Sequence, residues 1–168
     1  MLSKSTIEII KKIRYLFLDV DGVLTDGTFV IDPNAEEYTE YKAFHSQDGY
    51  GMKMLLNHGI EIIIISGRKS RTVEIRMKQL GIDQVYLGIK NKLELFHEIC
   101  RQKNIKPETC AYVGDDIPDL EVMELVGFRA IVANATKIMH KIADFQTTLP
   151  GGHGAVREVC DLILSYQE

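Results

Sequence analysis

Short apolar runs alternate along the chain with longer segments in which apolar residues recur at helical spacing. The apolar runs read YLFLDV, IEIIIIS, QVYLG, CAYVGDD, FRAIVAN and ADFQTT. Because several runs are apolar at consecutive positions, we expect strands that are buried on both faces. Strands separated by helices predict a parallel sheet with right-handed crossovers. The pattern therefore predicts an α/β fold with a doubly wound, Rossmann-like parallel sheet.

Residues that stop or start helices delimit the segments between these runs. A helix over Asp48–His58 would end before Gly59, and a helix over Ser70–Leu80 would end before Gly81. A third helix would begin at Asn91 and run to about residue 104. These helices supply the crossovers that a parallel sheet requires.

The two ends of the chain also carry helical patterns. Near the N-terminus, Ser5 and Glu8 form the S-x-x-E pattern of a capped helix start. Near the C-terminus, four apolar residues recur at helical spacing and predict an amphipathic helix packed on the core or on a neighbouring subunit: Val156, Val159, Cys160 and Ile163. Three glycines precede that helix and predict a flexible loop, in a C-terminal tail over about residues 150–168: Gly151, Gly152 and Gly154.

One segment breaks the strand-helix rhythm. Two runs flank Asp32-Pro33-Asn34, a strong turn signal, and predict a β-hairpin over about residues 27–47 that projects from the sheet. A lone two-stranded ribbon is at best marginally stable in water, yet this hairpin is rich in apolar and aromatic residues. We therefore expect it to join subunits through these residues: Phe29, Ile31, Tyr38, Tyr41 and Phe44.

Composition narrows the class of protein. A chain of 168 residues with 45% hydrophobic and 26% charged residues predicts one globular domain over residues 1–168. The net charge of −4 argues against nucleic acid as a partner, and no apolar run approaches the roughly 20 residues that cross a membrane. Three cysteines without a CxxC pair predict neither a disulfide framework nor a zinc site. We expect a soluble, cytoplasmic protein that acts on small molecules.

Polar side chains follow three of the apolar runs at the point where each predicted strand ends. Ligands of open parallel sheets bind beyond the carboxyl ends of the strands, so these residues should meet at one edge. Any one of these residues alone would be typical of an ordinary turn or of a solvated side chain. Together, and with Lys92 near the start of the third predicted helix, they indicate a common site. The residues are Asp19 and Asp21 after the first run, Ser66, Gly67 and Arg68 after the second, and Gly114, Asp115 and Asp116 after the fourth.

The chemistry of this constellation indicates phosphoryl transfer. Clustered carboxylates repel one another and need a cation, and oxygen ligands favour Mg²⁺. A serine hydroxyl and a lysine ammonium suit the oxygens of a phosphoryl group, and glycines let backbone N–H groups approach it.

Four elements of the sequence resemble the four motifs of the haloacid dehalogenase superfamily of phosphotransferases and occur in the expected order. They are DVDGVLTDG, ISGRK, Lys92 and GDDIPD. The resemblance implies that Asp19 is the nucleophile, which forms an aspartyl-phosphate, and that Asp21 is the acid and base. It places Mg²⁺ between Asp19, the Asp21 backbone carbonyl and Asp115. It further implies that Ser66 and Lys92 bind the phosphoryl group, with support from Asp116 and Asp119.

The whole chain resembles the 3-deoxy-D-manno-octulosonate 8-phosphate phosphatases, which supply the octulosonate sugar of lipopolysaccharide. The closer match lies in DVDGVLTDG with the hairpin, in FHSQDGYGMKML and in GGHGAVREVCDLIL. It implies a sugar phosphate as substrate and a homotetramer joined by hairpins, whose tails reach neighbouring active sites. Besides Asp21 and Lys92, it implies contacts to the sugar phosphate or to a neighbouring subunit from His45, Ser46, Gln47, Asp48, Gly49, Lys53, Arg68 and Arg76.

The sequence also allows other functions. No segment between the motifs is long enough for a cap domain, so we expect an open site that a bulky substrate or another subunit closes. A phosphatase of a nine-carbon, sialic-acid-type sugar 9-phosphate fits the same motifs. A signalling receiver domain would carry its phosphoacceptor on a later strand, where this chain has Ser66. A non-catalytic oligomerisation module would not need complete motifs.

Overall fold

A computed structural model describes residues 2–32, 34 and 39–167. Its strands in chain order are β1 Tyr15–Leu18, β2 Val30–Asp32, β3 Thr39–Tyr41, β4 Glu61–Ser66, β5 Gln84–Leu87, β6 Cys110–Gly114, β7 Phe128–Ile131 and β8 Phe145–Gln146. Within these ranges, six strands form one parallel sheet in the order β5-β4-β1-β6-β7-β8. The predicted parallel sheet is confirmed.

The strand register aligns the carboxyl ends of the three central strands. Leu18, the last residue of β1, pairs with Ile64 on one side and with Val113 on the other. The strands β1, β4 and β6 are buried almost throughout, as their apolar sequences predict. Because the chain runs from β1 towards β5 first and towards β8 later, β1 lies at the switch point where parallel sheets bind ligands.

Helices cover both faces of the sheet. They are α1 Lys4–Ile10, α2 Ser46–Asn57, α3 Arg71–Leu80, α4 Lys92–Lys103, α5 Ile117–Met123 and α6 Ala155–Leu164. One core joins α1, α2, α3 and α6 to the inward residues of one face, among them Leu16 and Ile64. The other joins α4 and α5 to the opposite face, through Phe17 and Tyr112. This arrangement confirms the doubly wound fold.

The predicted helix boundaries hold for the central helices. Gly81 ends α3 in a left-handed conformation with φ of 78°, and Asn91 begins α4 by accepting a hydrogen bond from the Glu94 N–H at 3.0 Å. The predicted cap of α1 is wrong. Ser3, rather than Ser5, caps this helix, because the Ser3 hydroxyl oxygen accepts the Thr6 N–H at 3.1 Å.

The predicted hairpin is present as a separate two-stranded sheet. Strands β2 and β3 pair antiparallel, with Val30 opposite Tyr41. Both of these side chains are more than half exposed. Tyr38 and the predicted turn residue Pro33 lie outside the described residues. Between β1 and β4 the described chain adds the hairpin and α2, and between β4 and α4 it adds α3 and β5; neither insertion is a cap domain.

The C-terminal helix α6 packs on α2 and the core. The predicted apolar stripe of α6 is buried, including Val156 and Cys160. The glycine loop before it lies against the turn after β1, where the Gly152 N–H donates to Val23 O at 3.0 Å. Its flexibility stays a prediction. In the part of the chain that the structure describes, no helix combines the length and the apolar character needed to cross a membrane.

Asp48 on α2 holds the start of α6. Its carboxylate is 1% exposed, and Oδ1 accepts the Arg157 N–H at 2.8 Å. Gly154 occupies the N-cap position of α6 and has no side chain to fill this role. Burial raises the pKa of Asp48, and the Arg157 N–H opposes that rise. Asp48 therefore caps α6 from a different helix.

We predict that Asp48→Ala destabilises the protein by about 1–3 kcal/mol, since it leaves a helix N–H unpaired in a buried place. Asp48→Asn keeps an acceptor oxygen and should cost less. Urea unfolding of both variants measures the difference, with Ser46→Ala, at an exposed neighbouring position, as the control. Equal stability of Asp48→Ala and wild type would contradict the capping role.

Candidate active site

A pocket of about 440 Å³ lies beyond the carboxyl ends of β1, β4 and β6. Its position at the switch point of the sheet is the one expected for a ligand. Eight of the predicted site residues line it: Asp19, Asp21, Ser66, Arg68, Lys92, Asp115, Asp116 and Asp119. The structure thus brings together residues that are up to 100 positions apart in the chain.

Asp19 is held rigidly where β1 ends. It is 8% exposed, and its backbone N–H donates to Val113 O at 3.2 Å, which extends the pairing of β1 with β6. The buried ammonium of Lys92 donates to Asp19 Oδ1 at 2.7 Å and to Asp119 Oδ1 at 2.7 Å. One lysine therefore bridges the carboxylates that follow two different strands.

Asp119, in the first turn of α5, accepts hydrogen bonds from three groups that line or support the pocket. Its Oδ1 also accepts the hydroxyl proton of Tyr112 at 2.7 Å, and its Oδ2 accepts the Asp115 N–H at 3.2 Å. Tyr112 is fully buried in β6, and the sequence predicted only a core residue at this position. The hydrogen bond from its hydroxyl to Asp119 is a contact that an apolar run does not reveal.

The carboxylates of Asp19, Asp115 and Asp119 offer oxygen atoms within 4.8 Å of one another. Burial, followed by repulsion from Asp119, raises the pKa of Asp19 to about 7, although Lys92 opposes the shift. Burial and the charges of Asp19 and Asp119 likewise raise the pKa of Asp115 to about 7. Burial would lower the pKa of Lys92, but its two carboxylate partners outweigh that effect and raise it.

These charges fit a divalent cation. When ionised, three carboxylates with one ammonium leave two negative charges in a place that water reaches poorly. Oxygen donors of this kind are the ligands that Mg²⁺ prefers. The raised pKa values of Asp19 and Asp115 are the expected result of carboxylates that lack such a cation.

Gly22 makes room for Asp115 against the turn after β1. Its φ is 90°, in the left-handed region that favours glycine. A Cβ atom at this position would lie 2.1 Å from Asp115 Oδ2. The Asp-Gly sequence therefore serves both the backbone turn and the close approach of the second acidic strand end.

Asp21 faces the base of the hairpin. Its carboxylate pairs with the ammonium of Lys42, whose side chain is completely buried. Lys42 also lies 3.3 Å from Glu40 Oε1, and Glu40 Oε2 accepts the Arg68 Nη2 proton at 2.9 Å. Sequence reasoning missed Lys42. Its signal was the alternation that continues from β3 into the next residue, which places Glu40 and Lys42 on one face of the chain.

Ser66 and Arg68 close the pocket on the side of β4. The Ser66 hydroxyl oxygen accepts the Arg68 N–H at 3.2 Å, and the Ile89 N–H donates to Ser66 O at 3.0 Å. The Arg68 guanidinium stacks 4.1 Å from the centre of the Phe29 ring, which ties it to the hairpin. Lys90, which sequence reasoning did not single out, adds a cation to the pocket lining.

The other predicted sugar contacts do not line this pocket. Asp48 is turned towards α6, as described above, and Arg76 packs against Gly49, where a Cβ atom would lie 2.4 Å from Arg76 Nη2. His45 precedes α2 at its N-cap position. The remaining three are exposed: Ser46, Gln47 and Lys53.

Asp116 lines the pocket edge but is engaged elsewhere. Its Oδ1 accepts the Ile117 N–H at 2.8 Å and the Thr136 hydroxyl proton at 3.1 Å. It therefore caps α5, the helix that carries Asp119, and supports the acidic cluster from outside.

Comparison with known proteins agrees with this geometry. A sequence model of the haloacid dehalogenase-like hydrolases matches residues 34–127. The 3-deoxy-D-manno-octulosonate 8-phosphate phosphatase KdsC of Escherichia coli K12 is 48% identical over 157 residues, which cover 94% of this chain and 82% of that protein.

Two solved structures share the fold over nearly the whole chain. The 3-deoxy-D-manno-octulosonate 8-phosphate phosphatase of Yersinia pestis superposes with a TM-score of 0.93 at 41% identity, covering 98% of this chain and 87% of that one. The enzyme of the same name from Moraxella catarrhalis, solved with magnesium, phosphate and KDO, has a TM-score of 0.91 at 41% identity, with 96% and 91% covered. The chain therefore belongs to the haloacid dehalogenase-like hydrolases and, within them, to the family of the 3-deoxy-D-manno-octulosonate 8-phosphate phosphatases.

Proposed function

We propose that the protein is a Mg²⁺-dependent phosphatase that hydrolyses 3-deoxy-D-manno-octulosonate 8-phosphate and so supplies the octulosonate sugar of lipopolysaccharide. The observation that carries the proposal is the buried Asp19, held by Lys92 beside Asp115 in a pocket at the switch point of the sheet. The named relatives, and the magnesium, phosphate and KDO bound to the Moraxella enzyme, support the choice of substrate.

In the first half of the reaction Asp19 acts as the nucleophile. A carboxylate oxygen of Asp19 attacks phosphorus, the bond from phosphorus to the sugar oxygen breaks, and an aspartyl-phosphate forms. Asp21 donates a proton to the departing sugar oxygen. The buried pairing of Asp19 with Lys92 and its backbone bond to Val113 hold the attacking group in place, which lowers the entropic cost of attack.

In the second half Asp21 acts as the base. It takes a proton from a water molecule, whose oxygen attacks phosphorus and displaces Asp19. The Ser66 hydroxyl and the Lys92 ammonium bind the transferring phosphoryl group and offset its charge. The Lys42 ammonium is the near partner that holds the Asp21 carboxylate when no substrate is bound.

The metal would be held by the Asp19 and Asp115 carboxylates and the Asp21 backbone carbonyl. When bound, Mg²⁺ neutralises the phosphoryl oxygens and orients the phosphoryl group for in-line attack. Asp119 keeps Lys92 and the Asp115 backbone in place, which leaves Asp115 available for the metal.

The protein is further proposed to be a homotetramer, in which neighbouring subunits complete the sugar site. The hairpin exposes an apolar set of residues that a lone ribbon would leave in water: Phe29, Val30, Ile31 and Tyr41. The predicted sugar contacts outside the pocket, His45–Gly49, Lys53 and Arg76, would serve such a shared interface. We also propose a cytoplasmic location, which the three buried free thiols support.

A panel of sugar phosphates tests the function. We expect kcat/KM for octulosonate 8-phosphate to exceed that for generic phosphate esters by at least about a hundredfold, since polar groups of the site would pair with the sugar acid. Asp19→Asn should abolish turnover of every substrate, because an amide is a poor nucleophile, while thermal unfolding shows that the variant is folded. Preference for a nonulosonate 9-phosphate would instead assign the nine-carbon substrate.

The metal site predicts a specific pH dependence of stability. Because Asp19 and Asp115 have pKa values raised from 3.8 to about 7, their ionisation destabilises the metal-free fold. The stabilising contribution of these two carboxyls should therefore be complete below about pH 3.8 and be lost as the pH rises from there through 7, so the melting temperature in chelator should fall over that range. Mg²⁺ should bind about tenfold more tightly at pH 8 than at pH 6 for each carboxyl that must lose its proton.

Thermal unfolding at several pH values, with and without Mg²⁺, measures both effects. Asp115→Asn should flatten the pH dependence in chelator and lose most of the Mg²⁺ stabilisation. Asp83→Asn, at an exposed turn after α3, is the matched control. Equal stabilisation of Asp115→Asn and wild type by Mg²⁺ at pH 8 would refute the metal ligand.

The hairpin interface is tested by Tyr41→Glu, which places a charge on the exposed apolar face opposite Val30. Light scattering of the wild type should give about four times the chain mass of 19.1 kDa, and the variant should give a smaller species. Ile75→Glu, at an exposed apolar position on α3, should remain a tetramer. A fully active wild-type monomer would rule out the shared site.

A further inference from the structure

The glycine loop before α6, residues 151–154, lies directly against the turn that follows β1. The Gly151 N–H donates to Asn134 Oδ1 at 2.8 Å, and the Gly152 N–H donates to Val23 O at 3.0 Å. A Cβ atom at Gly151 would lie 1.7 Å from Gly22 O and 3.0 Å from Thr25 O. The two backbone segments therefore touch with no side chain between them.

Gly22 is confined on its other side by the acidic cluster. A Cβ atom at Gly22 would lie 2.1 Å from Asp115 Oδ2, so the backbone of this residue already touches the carboxylate. Gly22 is thus packed between the glycine loop and Asp115. Because close-packed interiors transmit displacement, a change at Gly151 would be passed through Gly22 to the acidic cluster.

Backbone conformation does not explain a glycine at position 151. Gly152 and Gly154 have φ of 71° and 103°, in the left-handed region that other residues avoid. Gly151 is not among the residues with positive φ, so an alanine is compatible with its backbone. The closeness of Gly22 O is the reason that a side chain is excluded there.

We propose that Gly151 is a positioning residue for the metal site. It holds the turn after β1 in the position from which the Asp21 carbonyl and the Asp115 carboxylate can bind the same cation. The inference rests on the metal site proposed above. It gives the C-terminal segment a role within its own subunit, since the loop that starts α6 also contacts the turn after β1 at Gly22 and Val23.

The test compares Mg²⁺ binding by the complete chain and by Gly151→Ala at pH 8, followed by calorimetry and by thermal shift. We expect the Kd for Mg²⁺ to rise by about 10-fold to 100-fold, the usual cost of disturbing the groups that support metal ligands. At saturating Mg²⁺, kcat should return to within about threefold of the wild type, because the nucleophile and Lys92 are unchanged. Thermal unfolding in chelator must show that the variant is folded at the assay temperature, because Mg²⁺ would also rescue a partly unfolded protein by mass action.

Two further variants make the result specific. Gly81→Ala is the control for stability, because Gly81 has φ of 78° and open space around its Cβ position, away from the site. It should lose stability and keep its Mg²⁺ affinity. Asn134→Ala removes the acceptor of the Gly151 N–H and should raise the Kd by about twofold to fivefold, the effect of one hydrogen bond.

Unchanged Mg²⁺ affinity in folded Gly151→Ala would overturn the inference, as would an equal loss of affinity in Gly81→Ala. If Gly151→Ala does not fold, unchanged affinity in Asn134→Ala overturns it. Absence of Mg²⁺ binding by the wild type would overturn the proposed metal site itself, and this outcome is distinct from a failure of the glycine variants.

Discussion

The site depends on a single buried ammonium that holds together carboxylates from two strand ends. Lys92 donates hydrogen bonds to Asp19 and Asp119 at 2.7 Å each, and all three residues are at most 8% exposed. Buried charges are stable only when they are paired, and removing one partner leaves an uncompensated charge. The register of β1 with β6 is therefore coupled to α4 through an ion pair as well as through apolar packing. The same coupling leaves a net negative charge that a divalent cation can neutralise.

The same ion pair explains why the proposed metal site uses Asp115 rather than Asp119 as a ligand, although both carboxylates lie in the acidic cluster. The Asp119 oxygens already accept protons from Lys92, Tyr112 and the Asp115 backbone. Each bond fixes a neighbour of the reacting groups, so the cost of orienting them is met when the protein folds. Asp115, by contrast, has its carboxylate against the Gly22 backbone, and in the part of the chain that the structure describes no side chain donates a hydrogen bond to it, which suits it to a cation.

The sequence predicted the residues whose position follows from the sheet alone. Asp19, Ser66 and Asp115 lie at or just after the carboxyl ends of strands that are adjacent and parallel, so their convergence requires only the strand order. The helix ends at Gly81 and Asn91 follow from local chemistry. Contacts that depend on tertiary packing could not be predicted in this way. Lys42 reaches Asp21 only because the chain after β3 returns to the turn that follows β1, and Asp48 meets Arg157 only where α2 packs against α6.

The predicted site residues divide in the same way into those positioned by the sheet and those whose contacts depend on tertiary packing. Residues at strand ends are fixed by the sheet and meet in the pocket, whereas the predicted sugar contacts on α2 and α3 point elsewhere in a single chain. The proposed phosphoryl chemistry thus needs only the sheet and its connecting turns. The proposed recognition of the sugar needs further surfaces, and the hairpin that carries Lys42 and contacts Arg68 is the element that joins the two. Because Asp21 pairs with Lys42, the proposed proton transfer and substrate selection would share one structural element.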